Sequence, residues 1–158
     1  MNRFYSSMMQ TLPAWQKAGK EIIKIAVAYL SLSSSIGGAY MNNKMIYGGS
    51  NNRGGEFGHM TIIPHGKRCY CGRYGCLDAY CTANILTDFT EGNLKEFFDI
   101  LKSGTNRGIQ NIFEDYTDYL AIAVNIFECA LTAMLYWEEM LVPIWQIISR
   151  IFVKKHQS

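Results

Sequence analysis

Gly55-Glu56-Phe57-Gly58-His59-Met60, followed by Cys69-Tyr70-Cys71-Gly72-Arg73-Tyr74-Gly75-Cys76, is the stretch on which the reading of this chain turns. Three thiols lie within eight residues, and one imidazole lies ten residues before the first of them. Gly72 and Gly75 let the backbone fold back on itself and bring sulfurs together. Soft thiolates with a neutral imidazole are donors that zinc takes, and a Cys3His set makes a closed tetrahedral structural site. The expected ligands are His59, Cys69, Cys71 and Cys76, with Zn2+ as a structural cofactor. Two plainer readings compete. Unrelated buried cysteines are common as small hydrophobes. A disulfide framework needs an oxidising compartment, whereas nothing at the N-terminus reads as a signal peptide, so a reducing cytoplasm is expected.

The same two runs closely resemble the signature of the ROK family, which contains bacterial sugar kinases and sugar-responsive transcriptional repressors. The resemblance implies an α/β fold: a partial actin-like (ribonuclease H-like) domain carrying an inserted zinc loop. In that family the glutamate and histidine of the first run both face the sugar, and the histidine also binds the metal. Carried over, this assigns sugar contact to Glu56 and His59. A carboxylate accepts hydrogen bonds from two sugar hydroxyls, while the metal loop fixes the direction of the imidazole. Alone, Glu56 would read as a solvated loop carboxylate. Asp78 stands where the family usually has a sugar-binding glutamate; it is one methylene shorter, so its contact is expected to weaken or pass through water. His65 has no ligand spacing and is expected at the surface, and Cys81 and Cys129 are expected as buried free thiols.

Composition bounds the rest. The chain has 158 residues, 49% of them hydrophobic, which suits one domain with a real core. Net charge is +2, and the basic residues are scattered apart from Lys154-Lys155, so no strong field points to nucleic acid or an anionic membrane. Tyr29 to Ser33 alternates apolar and small polar residues and predicts a strand. Ala39-Tyr40-Met41 and Met45-Ile46-Tyr47 flank Asn42-Asn43 and predict a hairpin. Residues 48–55 predict a glycine-rich loop, and Met60 to Ile63 a further short strand ended by Pro64. Helices are predicted from Tyr80, Ala83, Ile85, Leu86 and Phe89, from Leu94 to Leu101 with a stop at Ser103-Gly104, and from Ile112 to Phe127 at spacings of three and four. Strands first and helices after suit an actin-like α/β domain.

Ser33-Ser34-Ser35-Ile36-Gly37-Gly38 occupies the place of the family's second phosphate loop. Such loops cradle phosphate with successive N–H groups and need glycine for close approach. Ser35, Gly37 and Gly38 are the candidate phosphate contacts. Family kinases usually carry Gly-Thr-Gly before Ile-Gly; serines stand here in place of both glycines, which puts ATP and Mg2+ binding in doubt, and an ordinary strand-to-strand turn is an equal reading. A family kinase also takes the proton of the attacking hydroxyl with an aspartate in an Asn-Asp motif. Residues 1–28 hold no such motif, so no catalytic residue is assigned and this chain alone is expected to be inactive as a kinase.

Family members have two actin-like domains and are usually longer, so the chain is expected to be a fragment. Its expected division is an atypical segment 1–27, a family domain over 28–129, and an atypical apolar tail over 130–158. The genetic code suggests why the ends look foreign. In the frame that starts at each codon's third base, Met8-Met9 forces Asp, Met9-Gln10 forces Ala and Trp15-Gln16 forces Ala. Permitted choices between give Asp-Ala-Asn-Ala-Ala, similar to the family's catalytic motif. In the same frame Tyr136-Trp137 forces Leu and Trp137-Glu138 forces Gly, within a possible Leu-Gly-Gly-Asn-Val. Both ends therefore read as out-of-frame translation. The tail is interrupted by Glu138, Glu139, Gln146 and Arg150, and gives no clean run of about 20 apolar residues for a membrane.

The function expected is sugar recognition, of a hexose or acetylated hexosamine, by part of a sugar-responsive transcriptional regulator. The alternatives are part of an ATP-dependent hexose or N-acetylhexosamine kinase, or a standalone zinc-binding interaction module. Family regulators bind DNA through a winged helix-turn-helix that is not present here, so no specific nucleic-acid binding is expected of this chain. Intact relatives are expected to be homo-oligomers.

Overall fold

The computed structural model describes residues 27–42, 45–51, 53–131 and 134–137. Among them, strands β1 (Val27–Leu32), β2 (Ile36–Asn42), β3 (Met45–Ile46) and β4 (Met134–Trp137) form one sheet in the order β3-β2-β1-β4. Helices α1 (Ala83–Thr87), α2 (Leu94–Ser103) and α3 (Arg107–Leu131) lie between β3 and β4 in the chain. β1 and β2 pair antiparallel with Tyr29 opposite Ala39 and Leu30 opposite Gly38, and β2 and β3 also pair antiparallel. β4 pairs parallel with β1, so the helices form the crossover between two parallel neighbours. β4 falls inside the segment read as an apolar tail.

The period-two pattern of β1 is used on both faces. Ala28, Leu30 and Leu32 join the main core with residues of all three helices. Tyr29 packs on the opposite face with Ala39 and Met41. The spacing of three and four in α3 puts Ile109, Phe113, Tyr116, Leu120, Ala123 and Phe127 in that main core. Phe113 also meets Phe97 and Phe98 of α2 at centroid distances of 6.4 and 6.1 Å. α2 is bounded as its sequence predicts: Asn93 Oδ1 accepts from the Glu96 N–H at 3.1 Å, and Gly104 ends the helix at φ 67°.

Three expectations are corrected. Met60 to Ile63 is not a strand. Residues 57–59 coil into a 3-10 turn, and Thr61 makes only an isolated bridge to Cys76. The predicted helix reaching Phe89 ends at Thr87, and a 3-10 turn over Asp88–Thr90 leaves Phe89 exposed. Cys129 is exposed rather than buried, with its thiol donating to Asn125 Oδ1 one helical turn earlier. Cys81 is fully buried as expected, and its carbonyl accepts from the Tyr116 hydroxyl at 3.0 Å. Asn43, residues 1–26 and most of the frame-shift segments lie outside the described residues. No described helix is long and apolar enough to cross a membrane.

Candidate functional site

The loop from Phe57 to Ala79 is built by backbone hydrogen bonds rather than by regular structure. Leu77 N–H donates to the Met60 carbonyl at 2.9 Å, and the Ile62 and Ile63 N–H groups both reach the Gly75 carbonyl. Gly75 N–H donates to Lys67 at 2.8 Å, and Cys69 N–H donates to Arg73 at 2.8 Å, closing the hairpin that carries the thiols. Gly75 is required here. Its φ is 76°, and a Cβ would collide with the Ile63 carbonyl oxygen. Side chains moor the loop to the rest of the fold: the Tyr80 hydroxyl accepts from Lys67 N–H at 2.6 Å, and Phe57 packs edge-on against Phe127 of α3 at 4.6 Å.

This scaffold brings together the four residues whose spacing pointed to a metal. The donor atoms of His59, Cys69, Cys71 and Cys76 all lie within 4.8 Å of one another. Cys71 and Cys76 sulfurs are 3.8 Å apart, and His59 Nδ1 is 3.7 Å from the Cys69 sulfur. Zn–S bonds of about 2.3 Å at tetrahedral angles need sulfur edges of about 3.8 Å. The set therefore fits a tetrahedral metal ion and could hold one. Its thiols differ in readiness. The Arg73 backbone N–H, hydrogen-bonded to the sulfur, brings Cys71 down to about 7, whereas burial pushes Cys76 up to about 12. Cys71 therefore gives up its proton more readily than Cys76.

Glu56 occupies the position just before the 57–59 turn and is exposed, three residues from half-buried His59. Asp78 is only 5% exposed, and its Oδ1 accepts from the Ile36 N–H at 2.5 Å. Burial holds its carboxyl above the ordinary value, opposed by that hydrogen bond and by His59. The Asp78 contact joins the cysteine loop to the first residue of β2, just after the serine turn. Within that turn Ser33 Oγ donates to the Ser35 carbonyl at 2.9 Å. Gly37 and Gly38 are not loop residues; they lie buried in β2, paired with Ser31 and Leu30, and the Phe57 ring fills the space over Gly38. His65 is exposed, at a left-handed φ of 58°. Sequence reading missed Tyr70, whose hydroxyl lies 3.3 Å from His59 Nε2. Its position between two ligand cysteines was the only available signal.

Comparison with known proteins points to one family. The xylose repressor of Bacillus subtilis is 30% identical over 102 residues, covering 62% of this chain and 27% of the repressor. The glucokinase of Thermotoga maritima is 31% identical over 75 residues, covering 48% of this chain and 24% of the kinase. This chain thus matches about a quarter of the length of either. Among solved structures, the ROK hexokinase from Thermus thermophilus superposes with a TM-score of 0.68 at 23% identity, over 82% of this chain and 47% of that one, a likeness of fold. The sequence model of the ROK family matches residues 13–133, which runs past 28–129 at both ends. With three-quarters of its length accounted for in this way, the chain belongs to the ROK family.

Proposed function

We propose that this chain is the zinc-organised, sugar-recognising part of a ROK protein that acts as a sugar-responsive transcriptional regulator. The observation that carries the sugar reading is that Glu56 heads the short turn whose last residue, His59, belongs to the four-donor cluster. Zinc on four protein donors has no open position, so it supplies rigidity and a fixed imidazole rather than chemistry on the ligand. Glu56 accepts from two neighbouring hydroxyls of a hexose or acetylated hexosamine, and His59 meets the same ring. Asp78 contributes more weakly, because one of its oxygens already serves Ile36.

Regulator is favoured over kinase by the turn before β2. Its serines bring side chains where a nucleotide phosphate needs bare backbone, and one of them is already bonded within the turn. In the alternative, kinase reading, which the resemblance to a glucokinase keeps in play, Ser35 of that turn is the proposed phosphate contact, since Gly37 and Gly38 are buried in β2. The domain of 28–129, a cytoplasmic setting and homo-oligomers of the whole protein belong to the same proposal.

The test is titration of the zinc-loaded chain with glucose, xylose and N-acetylmannosamine, beside Glu56→Gln, with ATP turnover followed in parallel. Binding lost in Glu56→Gln supports the sugar reading, and absence of turnover is expected of this chain in either role. Sugar-dependent ATP consumption replaces the regulator with the kinase. Zinc retention with equal binding, or none, in both proteins leaves the interaction module.

A further inference from the structure

The thiols of this chain differ sharply in access. Cys71 on the loop hairpin and Cys129 on α3 are exposed, whereas Cys69, Cys76 and Cys81 are 3%, 0% and 0% exposed. Within the four-donor cluster, a reagent arriving from solvent meets the Cys71 sulfur first. A second sulfur stands beside it, that of Cys76 at 3.8 Å. A disulfide needs about 2.05 Å, so a gap of about 1.8 Å remains to be closed.

The backbone favours that closure. Gly72, next to Cys71, sits at φ 90° with no atom within 4 Å of where a Cβ would lie, so the Cys71 end of the hairpin turn has open space around it. The Cys76 end is held. Gly75 is wedged against the Ile63 carbonyl, and the Leu77 N–H is bonded to Met60. Cys69 is the poorer partner for Cys71. Only Tyr70 separates them, and the turn around it is fixed by Gly72 N–H to the Cys69 carbonyl at 3.0 Å and Cys69 N–H to the Arg73 carbonyl at 2.8 Å. Disulfides tolerate a narrow range of backbone geometry, and this tight turn leaves little freedom to reach it.

We propose that Cys71 and Cys76 form a peroxide-oxidisable pair, whose disulfide empties the metal site of the loop. The Cys71 thiolate attacks one oxygen of hydrogen peroxide, the O–O bond breaks, and a sulfenic acid forms as hydroxide leaves. The Cys76 thiolate then attacks the Cys71 sulfur. The S–S bond forms, the S–O bond breaks, and a second hydroxide leaves. Two protons from solvent turn both hydroxides into water. The two thiolates together lose two electrons, and the peroxide gains them. Bridged sulfurs no longer carry the charge that holds a cation, so only His59 and Cys69 of the four donors remain. An exposed disulfide is open to attack by thiols, so the change is reversible. Disulfide and metal content report it without any sugar, and it stands apart from the sugar reading. Where that reading holds, oxidation also removes the fixed direction of His59 that binding uses.

The test uses the full, zinc-loaded chain and Cys129→Ser, which removes the exposed thiol outside the cluster. Each is treated with hydrogen peroxide. Released zinc is read with a chromophoric chelator, free thiols by alkylation, and the linkage by non-reducing peptide mapping. Chymotryptic cleavage after Tyr70 and Tyr74 places Cys69, Cys71 and Cys76 on separate peptides. The expected result, in both proteins, is loss of about one zinc per chain with two thiols and a Cys71–Cys76 linked peptide. Dithiothreitol followed by zinc should restore the starting state. Zinc retained after peroxide has consumed Cys129 in the wild type overturns the proposal. So does a bridge from Cys69, or release that vanishes in Cys129→Ser.

Discussion

Truncating Asp78 to alanine removes a side-chain hydrogen bond between the cysteine loop and the start of β2. Asp78 Oδ1 accepts from the Ile36 N–H at 2.5 Å, and both residues are 5% exposed. Alanine leaves that N–H buried without its partner, which costs about 1–3 kcal/mol. For a chain of this length each kcal/mol corresponds to about 2–4 °C in Tm, so a 2 kcal/mol loss lowers Tm by about 4–8 °C. Asparagine keeps an acceptor of the same length and removes the charge. Burial already holds the Asp78 carboxyl above its ordinary value, so the neutral form is the better tolerated one. Three thiolates on a divalent ion add a net negative charge nearby and push the same way. Asp78→Asn should therefore stay within about 1 kcal/mol of wild type. The sign with pH follows. A carboxyl raised on folding contributes stability fully present below its unfolded value of 3.8, and lost as pH rises through the folded value. The stability of Asp78→Asn relative to wild type should accordingly improve from acid towards neutral pH. Urea unfolding of the zinc-loaded proteins measures all three. Alanine matching wild type, or asparagine falling as far as alanine, would refute the claim that Asp78 is there to hold Ile36.

Purified chain should hold about one zinc, and Cys71→Ser should lose it; structural zinc contributes on the order of 10 kcal/mol in small peptides, so the loop should unfold with it. Chelation that leaves circular dichroism and melting unchanged would count against a structural metal. Zinc affinity should rise with pH between about 6 and 8, because the Cys76 proton, held up to about 12, and part of that on Cys71, near 7, must leave as the metal enters; a flat profile in competition with a chelator would contradict this. Gly75→Ala should destabilise by about 2 kcal/mol or more, since a left-handed φ of 76° and a collision with the Ile63 carbonyl act together; loss of zinc retention at moderate urea is the readout.

The His/Cys3 cluster was legible because its members are close in sequence: three cysteines and a histidine at short spacing restrict what the loop can be. The helices α2 and α3 were legible for a related reason, as Leu94 to Leu101 and Ile112 to Phe127 carry their core face in their own period. Met60 to Ile63 misled because an apolar run shows burial, not how its N–H groups are satisfied. Ile62 and Ile63 share one carbonyl, that of Gly75, where a strand would need a ladder. Phe89 and Cys129 misled because apolar type was taken for an inward position, while the turn at Asp88–Thr90 and the phase of α3 leave both outside. The bond from Ile36 to Asp78 spans 42 residues, and no local pattern encodes it. Gly37 and Gly38 looked like a phosphate loop in sequence, yet in the sheet Gly38 makes room for Phe57.

The central claim is that metal order in the loop and recognition of sugar by Glu56 and His59 are one device. Its most direct test is calorimetric titration of one preparation with glucose, xylose and N-acetylmannosamine, first zinc-loaded, then chelated, then reloaded. Binding that disappears with the metal and returns with it is the predicted result. Equal affinity with and without zinc, for whichever sugar binds, would contradict it.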